Sequence, residues 1–385
     1  MSFVLLALLV AAGLAGPALA GLPRVGLPLV VGEIAAGVLL GRTGLGIVDP
    51  AEPTTAFLSE VGFAMLMFVL GTHLPLRDAG LRRALRPAAL GTLLMLALAV
   101  PAGFALTSVG PDRPLVLAVV VATSSAAVAL PILRSRAGQP PTTAFAVTWI
   151  ALTDVVTVLA VPVVLATGSL GSVLLGGGLV LLAGGAVFLA LRWWRRTARG
   201  HALRRRSKRR GWALDLRLGL AVLFALAALA TAFGTSILIA GFTAGVVLAA
   251  TGEPHRLAQQ LVGIAEGFLV PLFFVTLGAR LEFRALFGSG RALLLAAGLV
   301  AAAVLLHVLV AVLLRRPAAV GLLATAALGV PSAVVSIGLT QGVLDPAQAA
   351  AIITAALVSI AVSTAGGTLL ARRETGDLPV DPVRP

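Results

Sequence analysis

The chain of 385 residues is 59% hydrophobic and 11% charged, against about 25% charged in soluble domains. It has no cysteine, which excludes disulfides, thiolate metal sites and cysteine nucleophiles. The net charge of +14 is carried by basic residues lying between apolar runs, a pattern of membrane topology rather than of a nucleic-acid surface.

The apolar runs predict thirteen helices, α1 to α13, over 2–20, 27–43, 56–74, 87–109, 114–135, 142–167, 170–193, 213–233, 235–251, 257–279, 291–314, 317–341 and 346–371. At about 1.5 Å per residue, runs of this size cross a bilayer. The expected class is an all-α polytopic membrane protein with about thirteen transmembrane helices. The run α1 ends in Ala18-Leu19-Ala20 like a signal peptide but lacks a basic leader, so it reads as a retained span.

Basic residues set the expected orientation. With the amino terminus outside, only Arg42, Arg113, Arg280, Arg284 and Arg291 of the 29 basic residues fall outside, and the carboxyl terminus is cytoplasmic. The block RWWRRTARGHALRRRSKRRGW, 192–212, reads as a solvated linker that enforces this topology. Attraction to acidic lipid headgroups, about 1 kcal/mol per basic residue, is a side effect.

The linker separates two similar halves. Ile34-Ala35-Ala36-Gly37-Val38-Leu39-Leu40 in α2 recurs as Phe242-Thr243-Ala244-Gly245-Val246-Val247-Leu248 in α9. Glu60-Val61-Gly62-Phe63 and Phe68-Val69-Leu70-Gly71 in α3 recur as Glu266-Gly267-Phe268 and Phe274-Val275-Thr276-Leu277-Gly278 in α10, and Ser125-Ala126-Ala127-Val128 in α5 as Ser332-Ala333-Val334-Val335 in α12. Matching helices are seven apart, an odd number, so the halves insert in opposite directions, the inverted-repeat plan of secondary transporters. The predicted organisation is 1–193 as the first repeat (α1–α6) plus linking helix α7, 194–212 as a basic cytoplasmic linker, 213–371 as the second repeat (α8–α13) and 372–385 as a short cytoplasmic tail.

The helices α5 and α12 hold the same place in each repeat. One reads Thr123-Ser124-Ser125-Ala126-Ala127-Val128-Ala129-Leu130-Pro131 and the other Gly329-Val330-Pro331-Ser332. Proline and glycine weaken helices, so both are expected to be discontinuous and to cross near mid-membrane, with carbonyls and hydroxyls left free for a cation. Beside them, α6 carries Asp154 near mid-depth with no basic residue in its run. A charge there costs at least about 2.5 kcal/mol, so the carboxylate is expected to hold a proton or a cation.

Glu60 and Glu266 are expected at the starts of α3 and α10, where the helix dipole favours carboxylates. Glu33 is expected to pack within α2. His73, His201 and His255 show no ligand spacing.

Pro28 to Gly41, Leu58 to Gly62 with Phe68 to Gly71, Ala122 to Ser125, Thr153-Asp154 with Pro162, and Pro271 to Gly278 together resemble the monovalent cation/proton antiporter-2 family. The family includes bacterial sodium/proton exchangers and the membrane part of glutathione-gated potassium/proton antiporters. The resemblance implies a panel domain (α1–α3 and α8–α10), a core domain (α4–α6 and α11–α13), a homodimer through the panels and an elevator motion of the core. By position it makes Asp154 the proton- and ion-binding carboxylate, with Thr153, Thr123, Ser124, Ser125 and Ser332 around a monovalent cation. Thr153 stands where relatives often carry a second aspartate or a glutamine, which suggests electroneutral exchange. His307 falls roughly where many relatives place a lysine, as a charge partner, a pH sensor or a histidine satisfied by a backbone carbonyl. Relatives that release potassium carry a nucleotide-binding domain, whereas this sequence stops at Pro385, so ligand gating would need a separate regulatory subunit.

The expected function is exchange of protons for Na+ or K+ across the cytoplasmic membrane, with no cofactor and no enzymatic chemistry. A sodium-coupled solute symporter of the same fold is the alternative, disfavoured by the scarcity of polar and aromatic residues in the helices. An intramembrane enzyme would want a His/Glu metal motif or a serine–histidine arrangement, and neither is present.

Overall fold

The computed structural model describes residues 2–21, 28–72, 79–126, 129, 141–166, 170–197, 202–203, 205–207, 210, 212, 214–251 and 255–376; for 79–83, 141, 215, 255–259 and 371–376 it describes the backbone alone. His73, His201, the second half of predicted α5 with Pro131, most of the basic linker and the end of the tail lie outside the described residues.

All regular structure among the described residues is helical, as expected. Among the described residues nine helices are long and apolar enough to cross a membrane, and Leu29–Leu40, Leu216–Ala232 and Ile237–Thr251 are shorter apolar helices. Of the thirteenth, α5, the structure describes Pro114–Ala122 and a resumption at Ala126.

The observed helices match the predicted runs, with different ends. Two segments, Phe3–Gly13 and Ala15–Ala20, make α1, and Leu29–Leu40 makes α2. Pro53–Thr72 is α3, and Ala79–Leu106 is α4, beginning eight residues before its apolar run. Pro141–Val164 is α6, Leu170–Arg196 is α7, Leu214–Ala232 is α8 and Ile237–Thr251 is α9. His255–Ile264, a π turn Ala265–Leu269 and Val270–Arg280 form α10. Gly290–Leu313 is α11, Ala318–Ala324 and Gly329–Thr340 are the halves of α12, and Pro346–Gly376 is α13.

The expected positions of two acids are corrected. Glu60 lies eight residues into α3, and Glu266 lies in the π turn of α10, well past its start. The cap of α3 is Glu52 instead, whose Oε2 accepts from the Thr55 amide at 2.7 Å and the Thr55 hydroxyl at 2.8 Å. The Thr55 amide bond is the main cause that lowers the Glu52 carboxyl from 4.5 to about 2. A carboxyl lowered on folding stabilises as the carboxylate, so its contribution is present above 4.5 and is lost as the pH falls through about 2. We expect Glu52→Gln to lower the melting temperature at neutral pH and to converge with the wild type under strong acid. Parallel curves at all pH values would contradict this.

The chain divides into two compact units. The first holds Met1–Arg77, Val158–Gly290 and Ser332–Ala350; the second holds Asp78–Thr157, Arg291–Pro331 and Ala351–Pro385. The first unit thus contains α1–α3 and α7–α10 with the later parts of α6 and α12. Its helices approach closely through glycine. A Cβ on Gly37 of α2 would collide with the Val275 carbonyl oxygen, and one on Gly278 of α10 with that of Ile34. The helices α9 and α3 repeat the arrangement: Gly245 abuts the Phe68 carbonyl and Gly71 that of Phe242. The recurring segments of the sequence exchange one glycine pair with the other. Close approach through glycine gives van der Waals packing that lipid-facing leucine cannot.

In the second unit α4 packs on α5, and Gly103 permits contact with the Pro114 carbonyl. Trp149 is fully buried there, 5.7 Å from the Phe145 ring and 5.9 Å from the His307 ring by centroids.

Candidate functional site

The first strand of the site is the break in α5. Its first half ends at Ala122; Thr123 is extended (φ −68°, ψ 146°), residues 123–125 are non-helical, and the helix resumes at Ala126. The final carbonyls of the first half have no partner within their helix, and the leading amides of the second half have none either. Asp154, 4% exposed on α6, answers one of them: its Oδ2 accepts from the Ala126 amide at 3.2 Å. Among the described residues this is the only hydrogen bond to the carboxylate, and no cationic side chain pairs with it. A helix amino terminus offsets about 0.3–1 kcal/mol of a carboxylate's charge, whereas mid-membrane placement costs at least about 2.5 kcal/mol. The cap alone does not neutralise Asp154.

The same unit pairs hydroxyls between α5 and α6 and between α4 and α6. The Thr123 hydroxyl lies 3.2 Å from that of Thr157, and Thr157 donates to the backbone oxygens of Thr153 at 2.8 Å and Asp154 at 3.1 Å. The Thr153 hydroxyl is 2.9 Å from that of Thr92 on α4. Ser125 is buried, and its Oγ has no hydrogen-bond partner among the described residues. Buried unpartnered hydroxyls are rare enough in proteins to require a reason.

His307 is 0% exposed on α11. Its Nδ1 lies 2.8 Å from the Ala303 carbonyl, and its Nε2 3.2 Å from the Ser124 hydroxyl. A carbonyl only accepts, so Nδ1 carries a hydrogen; in the neutral ring Nε2 then accepts the Ser124 proton. That would leave the Ser124 oxygen lone pairs available. The structure gives the ring no hydrogen bond or ion pair to Asp154 among the described residues.

The helix α12 is also discontinuous, with residues 326–328 outside helix between Ala318–Ala324 and Gly329–Thr340. Gly329 and Pro331 do not mark the gap itself but open the second half, where a proline's missing amide is no loss. The helix α13 supports this break. Ser359 accepts from the Ala327 amide at 3.1 Å, and Ser363 donates to the Leu323 carbonyl at 2.6 Å. Ser359 therefore does at the second break what Asp154 does at the first, with a neutral hydroxyl. Ser332 lies in the second half of α12, in the first unit; it is fully buried, and its Oγ is without a partner among the described residues.

The sequence expectations Asp154, Thr123, Ser124, Ser125, Thr153 and His307 all lie in the second unit; all but Ser125 take part in the contacts above. Thr92, Thr157 and Ser359 were not anticipated. Thr157 stands one turn beyond Thr153, and Ser359 and Ser363 share one face of α13, spacings that a search for helical polar stripes would find. In the first unit Glu60 is not buried; it lines a cavity of about 490 Å³ with Ser59, Thr235, Arg280, Thr340 and Gln341.

A chain built of membrane-length helices, with one carboxylate set at a helix break inside them, has the make-up of a secondary transporter. The family model for the transmembrane part of sodium/hydrogen exchangers matches residues 4–372, and the chain belongs to that family. It is 30% identical over 366 residues to the glutathione-regulated potassium-efflux system protein KefC of Salmonella heidelberg (strain SL476), covering 90% of this chain and 57% of that protein. It is 25% identical over 360 residues to YjbQ of Bacillus subtilis (strain 168), covering 86% of this chain and 57% of that protein. The chain thus spans less than two thirds of the length of these relatives. Among solved structures, the sodium proton antiporter MjNhaP1 of Methanocaldococcus jannaschii at pH 8 shares the fold, with a TM-score of 0.68, 16% identity and coverage of 97% of this chain and 99% of that one.

Proposed function

We propose that the chain exchanges protons for a monovalent cation, Na+ or K+, across a cytoplasmic membrane. The observation that carries this is Asp154, buried at a helix break without a cationic partner among the described residues. There it can be neutralised by a proton or by a cation held with the oxygens of Ser124, Ser125 and the carbonyl end of the first half of α5. The two occupants compete for one carboxylate, which is the minimum needed to couple their movements. Family membership supports antiport, and its named relatives include both a potassium-efflux system and a sodium proton antiporter.

An elevator-type alternation suits this site, because Asp154 and its hydrogen-bonding neighbours belong to a single compact unit that can carry the ion as a body. The basic residues between spans favour an outside amino terminus and a cytoplasmic carboxyl terminus. A homodimer through the helices of the first unit and an inverted-repeat division near the basic linker complete the proposal. Everted vesicles loaded with a pH-sensitive dye test it: addition of Na+ or K+ should dequench the dye, and no response to any alkali cation would overturn it.

Exchange should be electroneutral. One carboxylate carries one proton or one cation, and both nitrogens of His307 already face neutral partners. With one charge moving each way, no net charge crosses a field worth about 2.3 kcal/mol per 100 mV. We therefore expect a transport rate unchanged by an imposed membrane potential. A cation-jump current on a solid-supported membrane that vanishes in His307→Ala would show a second exchanged proton instead.

A further inference from the structure

The parallel carboxyl ends of α7 and α9, in the first unit, enclose a cavity of about 400 Å³ lined by Phe188, Arg192, Arg195, Arg196, Ala250 and Thr251. Arg195 is partly committed, since its Nη1 donates to the Thr251 carbonyl at 2.9 Å and so caps α9. Capping does not use up the charge. Among the described residues, two helix carboxyl ends contribute about half a negative charge each, against three guanidinium groups, so the lining is positive on balance.

Guanidinium forks suit the oxygens of a phosphate. Next to the cavity, and sharing Arg195 with it, is a narrow apolar cleft of about 30 Å³ lined by Leu191, Trp194, Leu218, Val222 and Leu248. Trp193 is 71% exposed at the same level, where aromatic residues mark the membrane–water boundary. A soluble phosphate would use the arginines alone; a lipid would use the arginines and the apolar side chains beside them. We propose that this cavity binds the phosphate of an anionic glycerophospholipid, with an acyl chain lying against the apolar side chains beside Trp194. Such a site is distinct from the ion-binding carboxylate and joins α7, the linking helix, to α9.

The test uses the full chain purified in neutral detergent, with phosphatidylglycerol, phosphatidylcholine, glycerol 3-phosphate and inorganic phosphate as separate probes. Binding is read by native mass spectrometry and by the melting temperature. Phosphatidylglycerol should bind saturably and raise the melting temperature, and phosphatidylcholine should do neither. Arg192→Gln with Arg196→Gln should weaken phosphatidylglycerol binding at least about tenfold, as expected for removing two basic residues near a lipid surface. Arg192→Lys with Arg196→Lys should restore most of it. Arg205→Gln with Arg206→Gln, in the linker but outside the cavity, should leave binding unchanged; an equal loss there would mean diffuse surface attraction and overturn the site. Displacement of the lipid by inorganic phosphate or glycerol 3-phosphate at comparable concentration would overturn the lipid assignment. The wild-type probes decide between lipid and soluble phosphate even if a variant does not fold.

Discussion

Asp154→Asn is expected to abolish cation-dependent proton flux while leaving an inserted, folded protein. Asparagine matches aspartate in size and can still accept from the Ala126 amide through its side-chain oxygen, so the break in α5 keeps its cap. What it loses is the ability to exchange a proton for a cation. Without competition for one charged group, downhill movement of either ion does no work on the other. Dye dequenching in vesicles should therefore fall to the level of protein-free controls, with the melting temperature close to wild type. Flux near the wild-type rate would end the assignment of Asp154.

The second large effect concerns the first unit. A methyl group at Gly245 would meet the Phe68 carbonyl oxygen, and one at Gly37 that of Val275. Backbone oxygens cannot rotate away as a side chain can, so a whole helix must shift. Overpacking of this sort costs typically about 1–3 kcal/mol and at times more. Gly245→Ala and Gly37→Ala should each lower the melting temperature by roughly 2–12 °C, using about 2–4 °C per kcal/mol. Gly185→Ala, with nothing within 4 Å of the added carbon, should leave it unchanged or slightly raised. Equal effects at all three positions would mean that the glycine contacts do not hold the helices together.

The sequence made the spans legible because each crossing requires a long apolar run. The same signal misplaced helix ends, since it reports the bilayer and not the hydrogen-bond ladder. The helix α4 begins before its apolar run, and α7 continues to Arg196 past the end of its run. Asp154 stood out because a lone acid in such a run has few structural explanations. The hydroxyl contacts of α6 did not, because Thr92 meets Thr153 across 61 residues of sequence. Ser359 escaped notice for a related reason: a serine in a membrane helix more often bonds its own backbone, and its bond to Ala327 depends on packing. The recurring glycines were visible as a repeat, but their role as two reciprocal helix contacts emerged only from the fold.

The most direct test of competition at Asp154 is the dependence of cation affinity on pH. If each bound cation displaces one proton, the half-saturating Na+ or K+ concentration rises about tenfold for each unit the pH falls in the range where the site is protonated. Isothermal titration of the purified protein should show this slope together with release of one proton per cation. A cation affinity independent of pH, with no proton released, would contradict the account.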